Sequence, residues 1–159
     1  MSVTRVYRLA KEKPGHYAAD DLSGNGAALS GGRWNPRGLR VLYTCCSAST
    51  ALLESLVHMA GLMPRANFYL VVLELPQAEV RKAYVPELPP DWSDITRDPA
   101  STAAIGKHWI EQGKQLVMKV PSVVSPTDFN LLLNPLHPQM AGVRVVEKQL
   151  FQFDARLFG

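Results

Sequence analysis

Four side chains able to engage a ligand, Arg8, Arg33, Tyr43 and Glu54, are gathered toward the start of the chain around one glycine-rich stretch, LSGGRWNPRG at positions 29–38. Glycine lets a backbone turn through positive φ and approach a ligand closely, and arginine offers a rigid fork of donors matched to phosphate or carboxylate. Each residue also has a plainer reading. Glu54 stands one helical turn before His58, a spacing that fits a solvent-facing pair as well as a catalytic carboxylate projecting toward the loop. Tyr43 fits a half-buried strand aromatic. Taken together, two arginines, a tyrosine and a glutamate about one glycine-rich loop suit a ligand with a diphosphate, a flat aromatic ring and a sugar. That is the chemical description of a nicotinamide dinucleotide.

Other signatures fail. A G-x-G-x-x-G fingerprint begun at Gly24 needs glycine at 29, where Leu29 stands. Gly106-Lys107-His108 and Gly113-Lys114-Gln115 lack the hydroxyl that follows lysine in a phosphate-binding P-loop. The four histidines and the neighbours Cys45 and Cys46 match no zinc spacing, so no metal is expected. Ser122, in VPSVV, lies outside a G-x-S-x-G elbow and reads as a positioning hydroxyl.

The elements that must position these groups follow from periodicity. Residues 4–9 alternate polar and apolar as a first strand, and residues 11–38 show no sustained period and read as a long ordered loop. Residues 40–45 form a strand leading into a helix capped by Ser47 and ended by Gly61. Residues 67–75 are a buried-type strand, which 79–84 extend before Pro86. A second helix starts at Asp98-Pro99, carries Ala103, Ala104 and Trp109 toward the core, and stops at Gly113. Residues 115–120 and 122–124 read as strand about Pro121, and 142–153 as a closing strand. Strands in runs with two helices make an α+β domain and not a βαβ series.

The 159 residues, 47% hydrophobic and 19% charged, fit a single domain over 1–159 that can bury its own core. A net charge of +3 leaves no basic stripe for a nucleic-acid groove. With no leader and no apolar run of roughly 18 residues, the chain is expected in the cytoplasm and off the membrane.

The motifs in order, Val6-Tyr7-Arg8, Gly24-x-Gly26-Ala27, Gly31-Gly32-Arg33-Trp34-Asn35-x-x-Gly38, Val41-Leu42-Tyr43-Thr44, Ala51-Leu52-Leu53-Glu54, Val120-Pro121-Ser122 and Asn134-Pro135-x-His137-Pro138, resemble the RES domain family. That family is named for an arginine, a glutamate and a serine. The resemblance implies a compact fold similar to the ADP-ribosyltransferases, a mixed, split β core with flanking helices. It implies the toxin of a bacterial toxin-antitoxin pair that consumes NAD and so arrests growth. NAD is then substrate, no cofactor is needed, and inorganic phosphate is a candidate co-substrate. Carried onto this chain, Arg8 and Arg33 hold the phosphates, Tyr43 packs on the nicotinamide or its ribose, and Glu54 faces the ribose of the scissile bond. Tyr7, Gly32, Ser122 and either Asn134 or His137 complete the pocket.

An ionised Glu54 would stabilise the positive charge that builds on the sugar as the nicotinamide bond breaks. Water, phosphate and a macromolecular acceptor all remain open, the last making the chain an ADP-ribosyltransferase. A member that only binds its antitoxin is the non-enzymatic alternative. The implied partner is an Xre-type helix-turn-helix antitoxin occluding the pocket of a toxin homodimer within a hetero-oligomer. Any nucleic-acid contact would belong to that antitoxin.

Overall fold

The longest apolar run of the chain, NFYLVVLELP, becomes strand β3 (Asn67–Pro76) and sits inside a sheet, paired antiparallel with β1 (Val3–Glu12) on one side and β6 (Arg144–Phe151) on the other. The computed structural model describes residues 2–159. The other three strands are β2 (Leu42–Cys45), β4 (Val117–Pro121) and β5 (Phe129–Leu133), and the sheet order is β4-β5-β2-β1-β3-β6. All strand pairs are antiparallel.

The sheet is split. β1 and β3 pair over ten positions from Val3↔Pro76 to Glu12↔Asn67, but β1 meets β2 at the single pair Tyr7↔Cys45. Two three-stranded halves therefore touch at one point. The α+β class agrees with the element order read from the sequence, and the split with what the family resemblance implies. The expected mixture of strand directions reduces to one parallel bridge, Tyr84↔Met118, because no helix crosses over between adjacent parallel strands.

Period-2 alternation divides the core between the two faces. Leu42, Leu131 and Leu133 join Val6, Val71, Leu73 and Leu75 on one face. Tyr43 and Leu132, from the alternate positions, join Trp34, Val41, Trp109, Met118 and Val120 on the other. This second face carries the cleft described below.

Among the described residues four α-helices flank the sheet: α1 (Asn25–Ser30), α2 (Ala48–Leu56), α3 (Gln77–Arg81) and α4 (Ala100–Gln112). Ser47 caps α2 by accepting the Thr50 N–H at 3.1 Å, as its position predicts. The helix stops at Leu56 and not at Gly61, its end tightening into i→i+3 bonds at His58 and Met59. α1 and β5 lie where loops are expected, α1 in a glycine-rich stretch with little propensity and β5 in a run too short to show a period. α3 replaces the expected strand at 79–84, since the β1 ladder ends at Val3↔Pro76, and past the helix Tyr84 rejoins the sheet as a parallel bridge to Met118. Strand β4 ends at Pro121, so 122–124 do not extend it. On α4 the buried side is Thr102, Ala103, Gly106 and Trp109, and Ala104 is exposed on the opposite side. No helix among the described residues is long and apolar enough to cross a membrane.

Candidate active site

A cleft of about 940 Å³ opens on the second face of the sheet. That is near the upper end of the roughly 300–1,000 Å³ that small-molecule and cofactor sites occupy. Its walls are the glycine loop (Gly31, Gly32, Arg33, Trp34), the end of α2 (Glu54, Val57, His58), the segment Asp94 to Pro99, and Pro121, Val123, Val124 and Asn130, with Tyr43 between them.

Glu54 is half-buried, and one of its oxygens is held from two directions. Oε1 accepts the Ser122 hydroxyl at 2.7 Å and the Asn130 Nδ2 amide at 3.0 Å. Ser122 is fully buried, and its Oγ also accepts the Ser125 N–H at 3.2 Å, which directs the hydroxyl proton onto the carboxylate. Among the described residues no donor reaches Oε2. The i,i+4 alternative, a pair with His58, is not formed, although His58 shares the cleft wall.

The base of α2 is tied to the same segment. Asp128 accepts Thr50 Oγ1 at 2.7 Å and Ser125 Oγ at 2.9 Å, and these two hydrogen bonds hold its carboxyl below the usual aspartate range. The helix that carries Glu54 and the strand ends that carry Ser122 and Asn130 are thereby fixed to each other.

Tyr43 shapes the glycine loop. Its hydroxyl donates to Asn35 Oδ1 at 2.6 Å and accepts the Trp34 N–H at 3.1 Å. Asn35, buried, gives its amide to the carbonyls of Ala27, Pro36 and Leu39 and so pins the loop. Burial pushes the Tyr43 phenol well above its ordinary pKa. The hydroxyl is taken up by the loop, and Tyr43 contributes to the walls of the cleft. A side chain at Gly32 would put its Cβ 2.9 Å from Tyr43 Oη and 3.0 Å from Asn35 Oδ1, so the loop closes this tightly only on glycine.

Arg33 donates to the Trp92 carbonyl at 2.7 Å, and the Trp34 and Trp92 rings lie 6.0 Å apart. The loop and the segment following Trp92 are thus clipped together at the mouth. One of the five guanidinium N–H groups is engaged, which leaves the Arg33 fork donors for an anion.

The structure separates the remaining sequence-derived residues. Arg8 lines a second cleft of about 510 Å³, with Tyr17, Asp21, Gly24 and Tyr43 among its walls. It donates to the Tyr43 carbonyl at 3.1 Å, its Nε is buried without a partner among the described residues, and burial lowers its pKa against the opposing pull of Asp21. The two clefts share Tyr43, so Arg8 and Arg33 stand on opposite sides of one wall. Tyr7 lines neither cleft and serves as the β1 side of the single pair to Cys45. Cys45 is buried, its thiol pushed up to about 12 by burial first and by Glu54 and Cys46 next.

Asn134 and His137, expected in the pocket, line neither of the two clefts. Asn134 Oδ1 accepts the Leu136 N–H at 3.0 Å in a local turn, and His137 Nδ1 accepts the Gln139 N–H at 3.1 Å at the start of a short 3₁₀ turn. These side chains are engaged by their own backbone. Sequence reasoning missed Asn130, whose signal is an amide inside the apolar strand FNLLL, and missed the Asp94 to Pro99 wall.

The RES domain family matches residues 5–154. A protein of Sphingobium sp. (strain YBL2) named Prs ADP-ribosylating toxin is 37% identical over 97% of this chain and 96% of its own length. A Toxin Res of Yersinia enterocolitica is 35% identical over 96% and 98%, and a Toxin Res of Pseudomonas putida 36% identical over 87% and 93%. A chain from the crystal structure of the M. tuberculosis MbcT-MbcA toxin-antitoxin complex superposes with a TM-score of 0.71 at 20% identity, over 95% of this chain and 85% of that one, and so shares the fold. Matched along nearly its whole length, both by the family pattern and by relatives that align with it almost end to end, this chain belongs to the RES domain family.

Proposed function

We propose that this protein is the toxin of a toxin-antitoxin pair and that it cleaves the nicotinamide–ribose bond of NAD by hydrolysis or phosphorolysis. The observation that carries the reading is Glu54: its Oε1 is clamped by Ser122 and Asn130, its Oε2 is unengaged, and it stands on the wall of a cleft with Arg33 and Tyr43. The toxin names of the relatives and the toxin-antitoxin complex among the similar structures support the pairing with an antitoxin. An Xre-type partner and a toxin dimer belong to the same proposal.

In the step itself the C–N bond breaks and its electron pair leaves with the ring nitrogen, so nicotinamide departs neutral and needs no strong acid. The positive charge passes to the sugar, where the Glu54 carboxylate stabilises it more than it stabilises the ground state. Water then adds and gives up a proton, or phosphate adds through one oxygen. Arg33 is the donor placed to hold an anion beside the sugar. Arg8, across the Tyr43 wall, can reach only a ligand portion that enters the second cleft.

A second reading, transfer of ADP-ribose to a macromolecule, is favoured by the name of the Sphingobium relative. Both begin with the same bond. A unit charge about 4 Å from the sugar is worth about 4 kcal/mol at an effective dielectric of 20, an upper bound of about 10³ in rate for neutralising it. Antitoxin-free protein incubated with NAD, with and without phosphate, should release nicotinamide, and Glu54→Gln should slow the release by about 10²–10³. The partner product, ADP-ribose or its 1-phosphate, names the acceptor. Release only when a cell extract is added would move the assignment to the transferase, and no release under any condition would defeat both.

A further inference from the structure

We propose that Asn130 is the residue that positions Glu54, holding its carboxylate by one oxygen with Oε2 turned to the cleft. This rests on the reading of Glu54 as the carboxylate that faces the reacting sugar. Asn130 lies in β5 among Phe129, Leu131, Leu132 and Leu133, and it is 9% exposed. An amide in such a strand is costly to bury and needs a reason. Its Nδ2 reaches Glu54 Oε1 at 3.0 Å, while its Oδ1 is buried with no hydrogen-bond partner among the described residues.

The orphaned Oδ1 is the informative atom. Turning the amide over, so that oxygen and nitrogen change places, would set Oδ1 against Glu54 Oε1, oxygen on oxygen, and would orphan the nitrogen instead. The observed orientation thus serves Glu54 at the expense of the amide's own second hydrogen bond. A purely structural asparagine would be expected to satisfy both ends, as Asn35 does through its amide and its Oδ1 alike. With Ser122 on the same oxygen, the pair fixes the carboxylate's rotation about its last bond. The other groups about Glu54 are Cys45 from β2, His58 from the residues just past its own helix, and Arg33, Asp94 and Arg97 around the cleft.

The test pairs a measurement on the free protein with one on the reaction. Asn130→Asp is nearly isosteric and replaces the donor with a second carboxyl; Asn130→Ala simply removes the donor. The Glu54 carboxyl is followed by ¹³C NMR at fixed pH in the substrate-free protein, as a reporter of its side-chain rotation, and kcat and KM of nicotinamide release are measured on the same samples. In Asn130→Asp the donor becomes an acceptor that repels the Glu54 oxygen, so the carboxylate should lose its fixed rotation and kcat should fall about 10-fold or more. In Asn130→Ala the rotation should also be freed, with kcat reduced about 10-fold or more and KM little changed. A carboxyl rotation unchanged in both folded variants would overturn the proposal. If the wild type releases no nicotinamide, the reading of the reaction fails, while the NMR signal of the Glu54 carboxyl still decides the role of Asn130.

Discussion

Gly106 lies in the middle of α4, where helix propensity alone makes Gly→Ala stabilising by about 1 kcal/mol. The packing predicts the opposite sign. A Cβ on residue 106 would stand 1.6 Å from the Trp34 carbonyl oxygen and 2.8 Å from its carbon. Ordinary van der Waals contact begins near 3.4 Å, more than twice the first of these distances, so helix and loop would have to part. Both colliding groups are backbone, and the loop is held by Thr102 Oγ1 on the Arg33 carbonyl at 2.6 Å and by the Tyr43 hydroxyl on Trp34 N at 3.1 Å. A gap of about 0.5–1 Å already forfeits a quarter to a half of the dispersion attraction across it, here in the cluster that Trp34 and Trp109 share. The cost should reach the upper end of overpacking, about 3 kcal/mol. For a domain of this size that lowers Tm by about 6–12 °C. Thermal unfolding of Gly106→Ala followed by circular dichroism measures it directly. A Tm equal to or above the wild type would refute the contact argument, because helix propensity would then have prevailed over the clash.

Two further perturbations probe the neighbouring contacts. Tyr43→Phe should cost about 2–3 kcal/mol in a urea unfolding series, since it leaves buried Asn35 Oδ1 and the Trp34 N–H without their partner. Because burial keeps the wild-type phenol neutral, the pH profile of nicotinamide release should lose height in this variant and keep its shape; a lost alkaline limb would contradict that account. Asp128 has a folded pKa below its unfolded value of about 3.9, so the unfolded chain binds the extra proton in between. Its contribution is complete above the unfolded value and is lost as pH falls through the folded one. Asp128→Asn should therefore be less stable than wild type at pH 7, with the difference closing below about pH 4; a difference constant from pH 7 to pH 2 would exclude the linkage.

Gly32, Arg33, Tyr43 and Glu54 were legible as one site because three short elements, a loop, a strand and the helix after it, bring them together with little chain between them. Asn130 was not, since its partner is far away in the sequence and its strand is a five-residue run without a measurable period. Asn134 and His137 are the converse case, sequence-derived residues that line neither cleft. Asparagine and histidine beside prolines look like chemistry in a sequence, yet both can hydrogen-bond their own backbone in turns, and here both do. The separation of Arg8 from Arg33 was hidden for a reason of period: neighbours on a strand point to opposite faces, and the sequence does not say which face of β1 borders which cleft.

The split explains why Arg8 is nonetheless needed near the site. After Tyr7↔Cys45 the β1–β2 ladder stops, and a strand edge that continues without a partner carries unpaired backbone groups. Arg8 crosses the opening and donates to the Tyr43 carbonyl, replacing with a side chain the strand bond that the divergence removes. Tyr43 is then fixed at both ends, its carbonyl by Arg8 from one cleft and its hydroxyl by Asn35 and Trp34 at the other. A wall held in this way keeps Tyr43 in place from both clefts. Arg8 thus supports Tyr43 from the second cleft, and Arg33 is the guanidinium of the main cleft nearest the glycine turn.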